Sequence, residues 1–219
     1  MDFDLDKYKK FLKTRYLGRN LIYLEKTDST NSFASKLIKK KAENRSGTLK
    51  GTVVLAKTQL KGRGRFDRKW ISPEGGLWFT LILETGLEPK NFAEVTLIAA
   101  YSIVNILDRD YKINAEIKWP NDIYYKKLKL GGILTEAEKI GGITYLLIGI
   151  GLNANLTKVD LAPYGRKSVS IKIILGKDIE REIILSKILF NIEEDYEYYS
   201  QTKDFKTIFK KIEKRLKFI

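Results

Sequence analysis

The chain has 219 residues, 43% of them hydrophobic, which is enough to enclose the core of one medium-sized domain. Its 41 Lys and Arg against 27 Asp and Glu leave a formal charge of +14, an attraction for polyanions of any kind: nucleotides, nucleic acid, acidic lipid or an acidic protein. Cysteine and histidine are both absent, which excludes disulfides, thiolate nucleophiles, thiolate or imidazole zinc sites and the commonest general base, so any catalysis must draw on Lys, Arg, Asp, Glu, hydroxyls or backbone amides.

The N-terminal run MDFDLDKYKKFLKTRYLG is charged throughout and reads as a lead-in. Nothing in the chain approaches the roughly 18 apolar residues of a membrane span, and a reducing compartment suits a cysteine-free protein; a cytoplasmic location is expected. LIYLEKTDSTNSFASKLIKKK predicts a short strand, a polar turn and a helix with Phe33, Ala34, Leu37 and Ile38 on one face and Ser29 or Thr30 as its cap. GTVVLAKTQ is a β-branched strand running into a basic loop, and GGLWFTLIL is the next strand. From Asn91 to Leu107 the apolar positions fall on one helical stripe. The segment from Ala115 to Leu156 alternates strands with turns, and Gly141-Gly142 marks a hairpin. Beyond Asn155 the strands give out and helices are expected at Ser168–Leu175, Ile179–Tyr199 and Phe205–Leu216. Strands adjacent in sequence point to an α+β fold, a mixed, mainly antiparallel sheet backed by helices on one face, rather than a doubly wound parallel sheet.

Four short stretches carry polar chemistry. In KGRGRFDRKW, Gly62 and Gly64 permit tight turning while Arg63 and Arg65 can point to different sides; backbone N–H groups and guanidinium forks together suit a phosphate or a carboxylate, and Trp70 offers a flat apolar surface. A solvated surface loop or a nucleic-acid backbone contact would read the same way, although no P-loop or dinucleotide fingerprint is present. In KWPNDIYYKKLKLGGIL, Pro120 interrupts the strand and Asn121-Asp122 place an amide and a carboxylate at the turn, suited to Mg²⁺ or to an amine proton, or simply to turning. Strand alternation would put Lys127 and Lys129 on one face, beside Gly131-Gly132 where a ligand could approach the backbone. TDSTNSFA supplies hydroxyls and an amide at a helix start, for capping, for ligand binding or for both. IGIGLNANL puts Gly149, Gly151 and Asn153 at a strand end, equally explained by close packing of a small-residue strand.

Taken together and in order, DSTN, GRGRFDRKW, KWPND and KLGGIL resemble the biotin protein ligases, which activate biotin with ATP and attach it to a lysine of a carrier domain. The resemblance runs through the motifs from about Leu21 to Asn155 and continues into the C-terminal helices. It implies the fold shared with class II aminoacyl-tRNA synthetases and lipoate ligases, as a single catalytic domain over residues 1–219. Departing from what many members of that family carry, no N-terminal DNA-binding domain and no small C-terminal β-barrel are expected here, and Lys61 also departs from the family pattern.

The resemblance also assigns roles. Biotin falls to Ser29, Thr30, Asn31, Gln59, Arg63, Gly64, Arg65, Lys129, Gly131 and Gly132. ATP falls to Arg65, Arg68, Trp70, Lys118, Asn121, Asp122 and Asn153, with Asp122 toward Mg²⁺. Arg65, Lys129 and Asp122 are the implied catalytic residues, the two cations relieving repulsion between a carboxylate and an α-phosphate without a proton relay. Its implied partners are biotin, ATP and an acidic biotin carboxyl carrier protein, with no membrane and a homodimer as a candidate assembly. A lipoate ligase of the same fold and a basic nucleic-acid-binding module using Trp70, Trp78 and Trp119 are the alternatives; an octanoyl transferase with a cysteine nucleophile is excluded.

Overall fold

A computed structural model describes residues 2–44 and 47–217. The aliphatic runs Leu21–Thr27 (β1) and Val53–Gln59 (β2) lie parallel, joined by a crossover through the helix Thr30–Glu43 (α2), as a β-α-β connection requires. Leu77–Thr85 (β3) runs antiparallel to β2, and the long hairpin Leu128–Ile140 (β6) and Ile143–Leu152 (β7) follows beside it. Glu116–Lys118 (β4) and Asp122–Tyr125 (β5) extend the sheet, which ends on Leu216–Lys217 (β8). The order β1-β2-β3-β7-β6-β5-β4-β8 is antiparallel except at β1/β2 and β4/β8, so the mainly antiparallel α+β sheet expected from sequence is what forms.

The expected hairpin at Gly141-Gly142 joins β6 to β7 with both glycines at positive φ, the conformation a two-residue turn demands. The β5–β6 turn reaches the same left-handed conformation with two lysines, Lys126 and Lys127. Lys127 therefore sits in the turn and not on the strand, and the expected alternation with Lys129 on one face does not occur.

Helices cover both sides of the sheet, not one. On the first side Phe92–Tyr111 (α3) and Arg181–Thr202 (α6) pack with Leu5–Phe11 (α1) and Phe205–Ile212 (α7) over Leu77, Phe79, Leu81, Leu146, Ile148, Ile150 and Leu152 to form the main core. On the second side α2 buries Ala34 and Ile38 against Val54, Ile82 and Leu147, and Leu161 packs with Leu156 against Trp78. The period-two alternation of β3 and β7 produces this division, each buried Leu or Ile contributing about 1.5–3 kcal/mol on its own side. Two short helices, Lys158–Leu161 (α4) and Ile171–Leu175 (α5), complete the connection after β7.

The remaining differences from the sequence expectation lie at ends. α1 sits inside the charged lead-in, capped by Asp4, whose carboxylate accepts from the Asp6 and Lys7 amides. α3 runs on to Tyr111, where Lys112 in left-handed conformation stops it. The last expected helix ends at Ile212; Glu213–Arg215 continue as a 3₁₀ turn, and Leu216, the last residue of the expected span, begins β8. None of the helices is long and apolar enough to cross a membrane among the described residues.

Candidate active site

The α2 side of the sheet carries a bare patch. On β7 the residues facing α2 are Tyr145 and Leu147 and then, by alternation, Gly149 and Gly151; cross-strand neighbours are Thr80 and Trp78 on β3 and Leu134 and Gly132 on β6. A Cβ on Gly149 would lie 2.3 Å from Asn31 Oδ1, and one on Gly151 would lie 2.6 Å from Trp70 Nε1. The two glycines are the floor on which Asn31 and Trp70 rest, because any side chain there would collide with them. The packing explanation for IGIGL therefore holds, and what it packs against is the site.

Over this floor opens a cavity of about 490 Å³. One end is a neutral hydrogen-bond ladder. Thr30 N–H donates to Gln59 Oε1 (2.8 Å), Gln59 Nε2 donates to Ser72 Oγ (2.7 Å), and the buried Thr80 hydroxyl lies 2.8 Å from Thr30 Oγ1 and donates to Asn31 Oδ1 (2.6 Å). Ser29 occupies the N-cap position of α2 but makes no capping bond through its side chain; Gln59, from the neighbouring strand, accepts from the first turn instead. The capping role assigned to Ser29 or Thr30 thus belongs to a residue 29 or more positions away; both residues line the cavity, with the Thr30 hydroxyl held in the ladder by Gln59 and Thr80.

The other end is cationic. The basic run forms a small finger: Gln59 pairs with Ser72, Trp70 N–H donates to Gly62 O (2.8 Å), Arg63 bridges Lys69, and Gly64 N–H donates to Arg68 O (2.7 Å), leaving residues 65–67 at the tip. Its alternating arginines point to different partners, as their spacing predicts. Arg63 Nη2 reaches Glu136 Oε2 at 2.9 Å, an oxygen that also accepts from Asn31 Nδ2 at 2.7 Å. Arg65 Nη1 donates to Asn121 Oδ1 at 3.2 Å.

Across from the finger, the cis Trp119-Pro120 bond turns the chain between β4 and β5. Asn121 is clipped to β6 by two bonds with Ile133, its Nδ2 donating at 2.7 Å and its carbonyl accepting at 2.9 Å. Next to it Asp122 Oδ1 lies 2.7 Å from Lys129 Nζ, and that ammonium sits 5.2 Å from the centre of the Trp70 ring. Arg65 and Lys129 thus meet neighbouring residues of one turn. Lys118 lies over the Tyr124 ring at 5.3 Å, and burial, then the Asp122 charge, holds the Tyr124 hydroxyl above its ordinary range.

Of the residues singled out in sequence, Ser29, Thr30, Asn31, Gln59, Arg63, Gly64, Arg65, Arg68, Trp70, Lys118, Asn121, Asp122, Lys129 and Gly132 all line the cavity. Gly131 and Asn153 do not. Gly131 packs beneath, where a Cβ would stand 2.8 Å from Gly151 O. Asn153 is buried and works as a bracket, its Nδ2 donating to Val169 O at 3.0 Å and its backbone tied to Leu130 and Ile171. Sequence reading missed Thr80, Glu136, Lys167 and Ser168. Thr80 had a signal, as the lone polar residue within LWFTLIL; Glu136, Lys167 and Ser168 had none, being brought in by the β6–β7 register and by the bridge between Lys129 and Ser168.

Seven cationic side chains line the cavity against a single carboxylate, Asp122, among the described residues. The arrangement can hold an anion of high charge at one end and a neutral polar group at the other.

The biotin/lipoate A/B protein ligase family model matches residues 23–153, more than half of the chain. The bifunctional ligase/repressor BirA of Bacillus subtilis is 35% identical over 192 residues, covering 86% of this chain and 57% of that protein. The human biotin–protein ligase is 31% identical over 158 residues, 69% of this chain and 21% of its own length. The chain therefore spans little more than half the length of the bacterial relative. Among solved structures, the biotin protein ligase of Aquifex aeolicus in complex with biotin and ATP superposes with a TM-score of 0.74 at 33% identity, covering 90% of this chain and 78% of that one. With its motifs gathered around one cavity on that fold, the chain belongs to the biotin/lipoate A/B protein ligase family.

Proposed function

We propose that the chain is the catalytic unit of an ATP-dependent biotin protein ligase. In the first step a biotin carboxylate oxygen attacks the α-phosphorus of ATP, the bond to the bridging oxygen breaks, and pyrophosphate leaves with biotinyl-5′-AMP formed. In the second, a neutral carrier lysine amine attacks the acyl carbon, AMP departs, and the amine proton is lost. The observation that carries the reading is the division of one cavity into a neutral ladder and a cationic end. Thr30, Asn31 and Gln59, which line that end and are braced from beneath by the buried Thr80, would offer donors and acceptors to the ureido ring of biotin, a group with one carbonyl and two N–H bonds. The cationic end offsets the charge of the triphosphate.

Arg65 and Lys129 supply fixed positive charge where carboxylate and phosphate would otherwise repel, the kind of preorganised electrostatics that needs no histidine. Trp70, resting on Gly151 and edge-on to Trp78 at 6.3 Å, is the flat surface that a purine or the adenylate would lie against. Asp122 would orient the incoming amine, a reading supported by its 2.7 Å contact with the ammonium of Lys129. Among the described residues no three ligating side chains gather to hold a metal ion. One carboxylate plus substrate phosphates is nevertheless the ligand set that Mg²⁺ uses, so Asp122 and the triphosphate would hold it, and the ion would supply charge neutralisation at the phosphates.

The acceptor is proposed to be a biotin carboxyl carrier protein of acidic surface, steered by the +14 charge of this chain. A cytoplasmic site of action and a single catalytic domain complete the reading. Incubation with ATP, Mg²⁺ and biotin should yield retained biotinyl-AMP by mass spectrometry and biotin-dependent exchange of pyrophosphate into ATP. Retention of lipoyl-AMP in place of biotinyl-AMP would redirect the assignment within the family, and formation of neither would end it.

A further inference from the structure

Phe66 stands at the tip of the basic finger in left-handed conformation, φ 56° and ψ 42°, a region where glycine or asparagine is at home and a bulky aromatic is an outlier. Its side chain is 78% exposed, so no core packing compensates. Neither backbone preference nor burial explains a phenylalanine there. What the ring does touch is charge: the Arg65 guanidinium carbon lies 5.0 Å from its centroid and that of Arg68 lies 5.9 Å away. Both distances fall within the range of cation–π attraction. Two guanidiniums that would repel each other are thereby held beside one ring, next to the Arg65–Asn121 bond that aims the first across the cavity.

We propose that Phe66 is a positioning residue for polyphosphate binding, its ring preorganising Arg65 and Arg68 so that they meet the triphosphate of a nucleotide without first being ordered. The proposal takes the location of the nucleotide from the function proposed above, yet its test does not depend on which acid is activated.

The test is calorimetric titration of the full chain with MgATP, comparing Phe66→Tyr, Phe66→Leu, Phe66→Ala and Phe66→Gly. Two exposed cation–π contacts correspond to about a 5- to 30-fold change in affinity. Phe66→Leu and Phe66→Ala should weaken MgATP binding by that factor, and Phe66→Tyr, which keeps the ring, should restore it. Phe66→Gly separates the ring from the backbone. If the left-handed turn alone mattered, glycine would bind as well as or better than the wild type; if the ring matters, glycine binds as weakly as alanine. In biotin-dependent exchange Phe66→Leu and Phe66→Ala should raise KM for ATP by the same factor, and Phe66→Tyr should return it to the wild-type value.

Equal MgATP affinity across all variants overturns the proposal, as does loss in Phe66→Tyr equal to that in Phe66→Ala. An effect confined to transfer onto a carrier, with nucleotide binding intact, would also overturn it by making Phe66 a docking residue. Should biotin-dependent exchange be absent while MgATP binding still follows the ring, the choice of biotin fails and the role of Phe66 stands.

Discussion

The two sides of the sheet are written by the same strands and do opposite work. On β7 the residues Leu146, Ile148, Ile150 and Leu152 enter the main core, while the alternate positions toward α2 shrink to Gly149 and Gly151 and open a cavity. A one-residue offset thus separates a surface selected for volume from one selected for its lack of volume. The lesson is that a glycine in a strand has meaning only with its register: here it marks the floor of a site, because the cross-strand neighbours and the overlying side chains are polar or flat.

Substitution on the core side should damage the fold and spare the chemistry of whatever remains folded. Ile148 is fully buried, and Ile148→Ala should lower unfolding free energy by about 2–5 kcal/mol in urea titrations. The affinity of its folded fraction for nucleotide should stay unchanged. The converse holds on the cavity side. Lys129→Ala should leave the urea midpoint close to wild type and reduce acyl-adenylate formation about 10²- to 10³-fold, the scale for removing one preorganised charge-stabilising donor. A Lys129→Ala variant with wild-type pyrophosphate exchange would remove that residue from the mechanism. Gly151→Ala probes the boundary between the two. Its methyl group would displace Trp70, so a moderate stability loss of about 1–3 kcal/mol should come with weaker nucleotide binding. If Trp70 moved aside with no change in binding, the ring would have no part in holding the purine.

How far the sequence revealed these two sides depended on the range of the interaction. Local periodicity disclosed the β-branched strands and the stripe of α3, since each element records its own burial in its own spacing. The order DSTN, GRGRFDRKW, KWPND, KLGGIL carried the site because its residues cluster in short stretches. What escaped was decided by register between distant segments. Gln59 capping α2, Glu136 reaching Arg63 and Asn31, and Thr80 bridging Thr30 and Asn31 each need strands to be aligned before the contact exists. α1 was hidden by its charges: only Tyr8 is buried within it, too little for an apolar stripe, and its stability comes from the Asp4 cap and from docking on α6. Asn153 lies off the cavity lining and ties down the Val169 segment, which the sequence could not show because an asparagine at a strand end looks the same whether it faces a ligand or ties down a loop.

Two carboxylates sharpen the same contrast with the smallest effect. Asp122, at the cavity, has one ammonium partner and remains partly open to solvent. Glu193, on α6, is buried and serves structure alone: it accepts from the Arg15 amide at 2.6 Å and from the Tyr16 and Leu17 amides at 2.9 Å each, pinning the segment that leads into β1. Burial pushes its carboxyl upward, but the three amides and the nearby Arg15 charge outweigh that and hold it below the ordinary value of 4.5. A carboxylate more acidic in the folded chain stabilises it fully above the unfolded pKa and loses that contribution as pH falls through the folded value. Glu193→Gln keeps one acceptor but turns an N–H₂ toward the amide donors, so it should cost about 1–3 kcal/mol at neutral pH. Measured by urea unfolding, the gap between wild type and Glu193→Gln should be widest above about pH 5 and should narrow steadily toward pH 3. Because Glu193 lies away from the cavity, MgATP affinity should not follow that narrowing at any pH where both proteins are folded. A gap that stayed constant down to pH 3 would mean that the carboxylate is not the charged acceptor its three amide partners indicate.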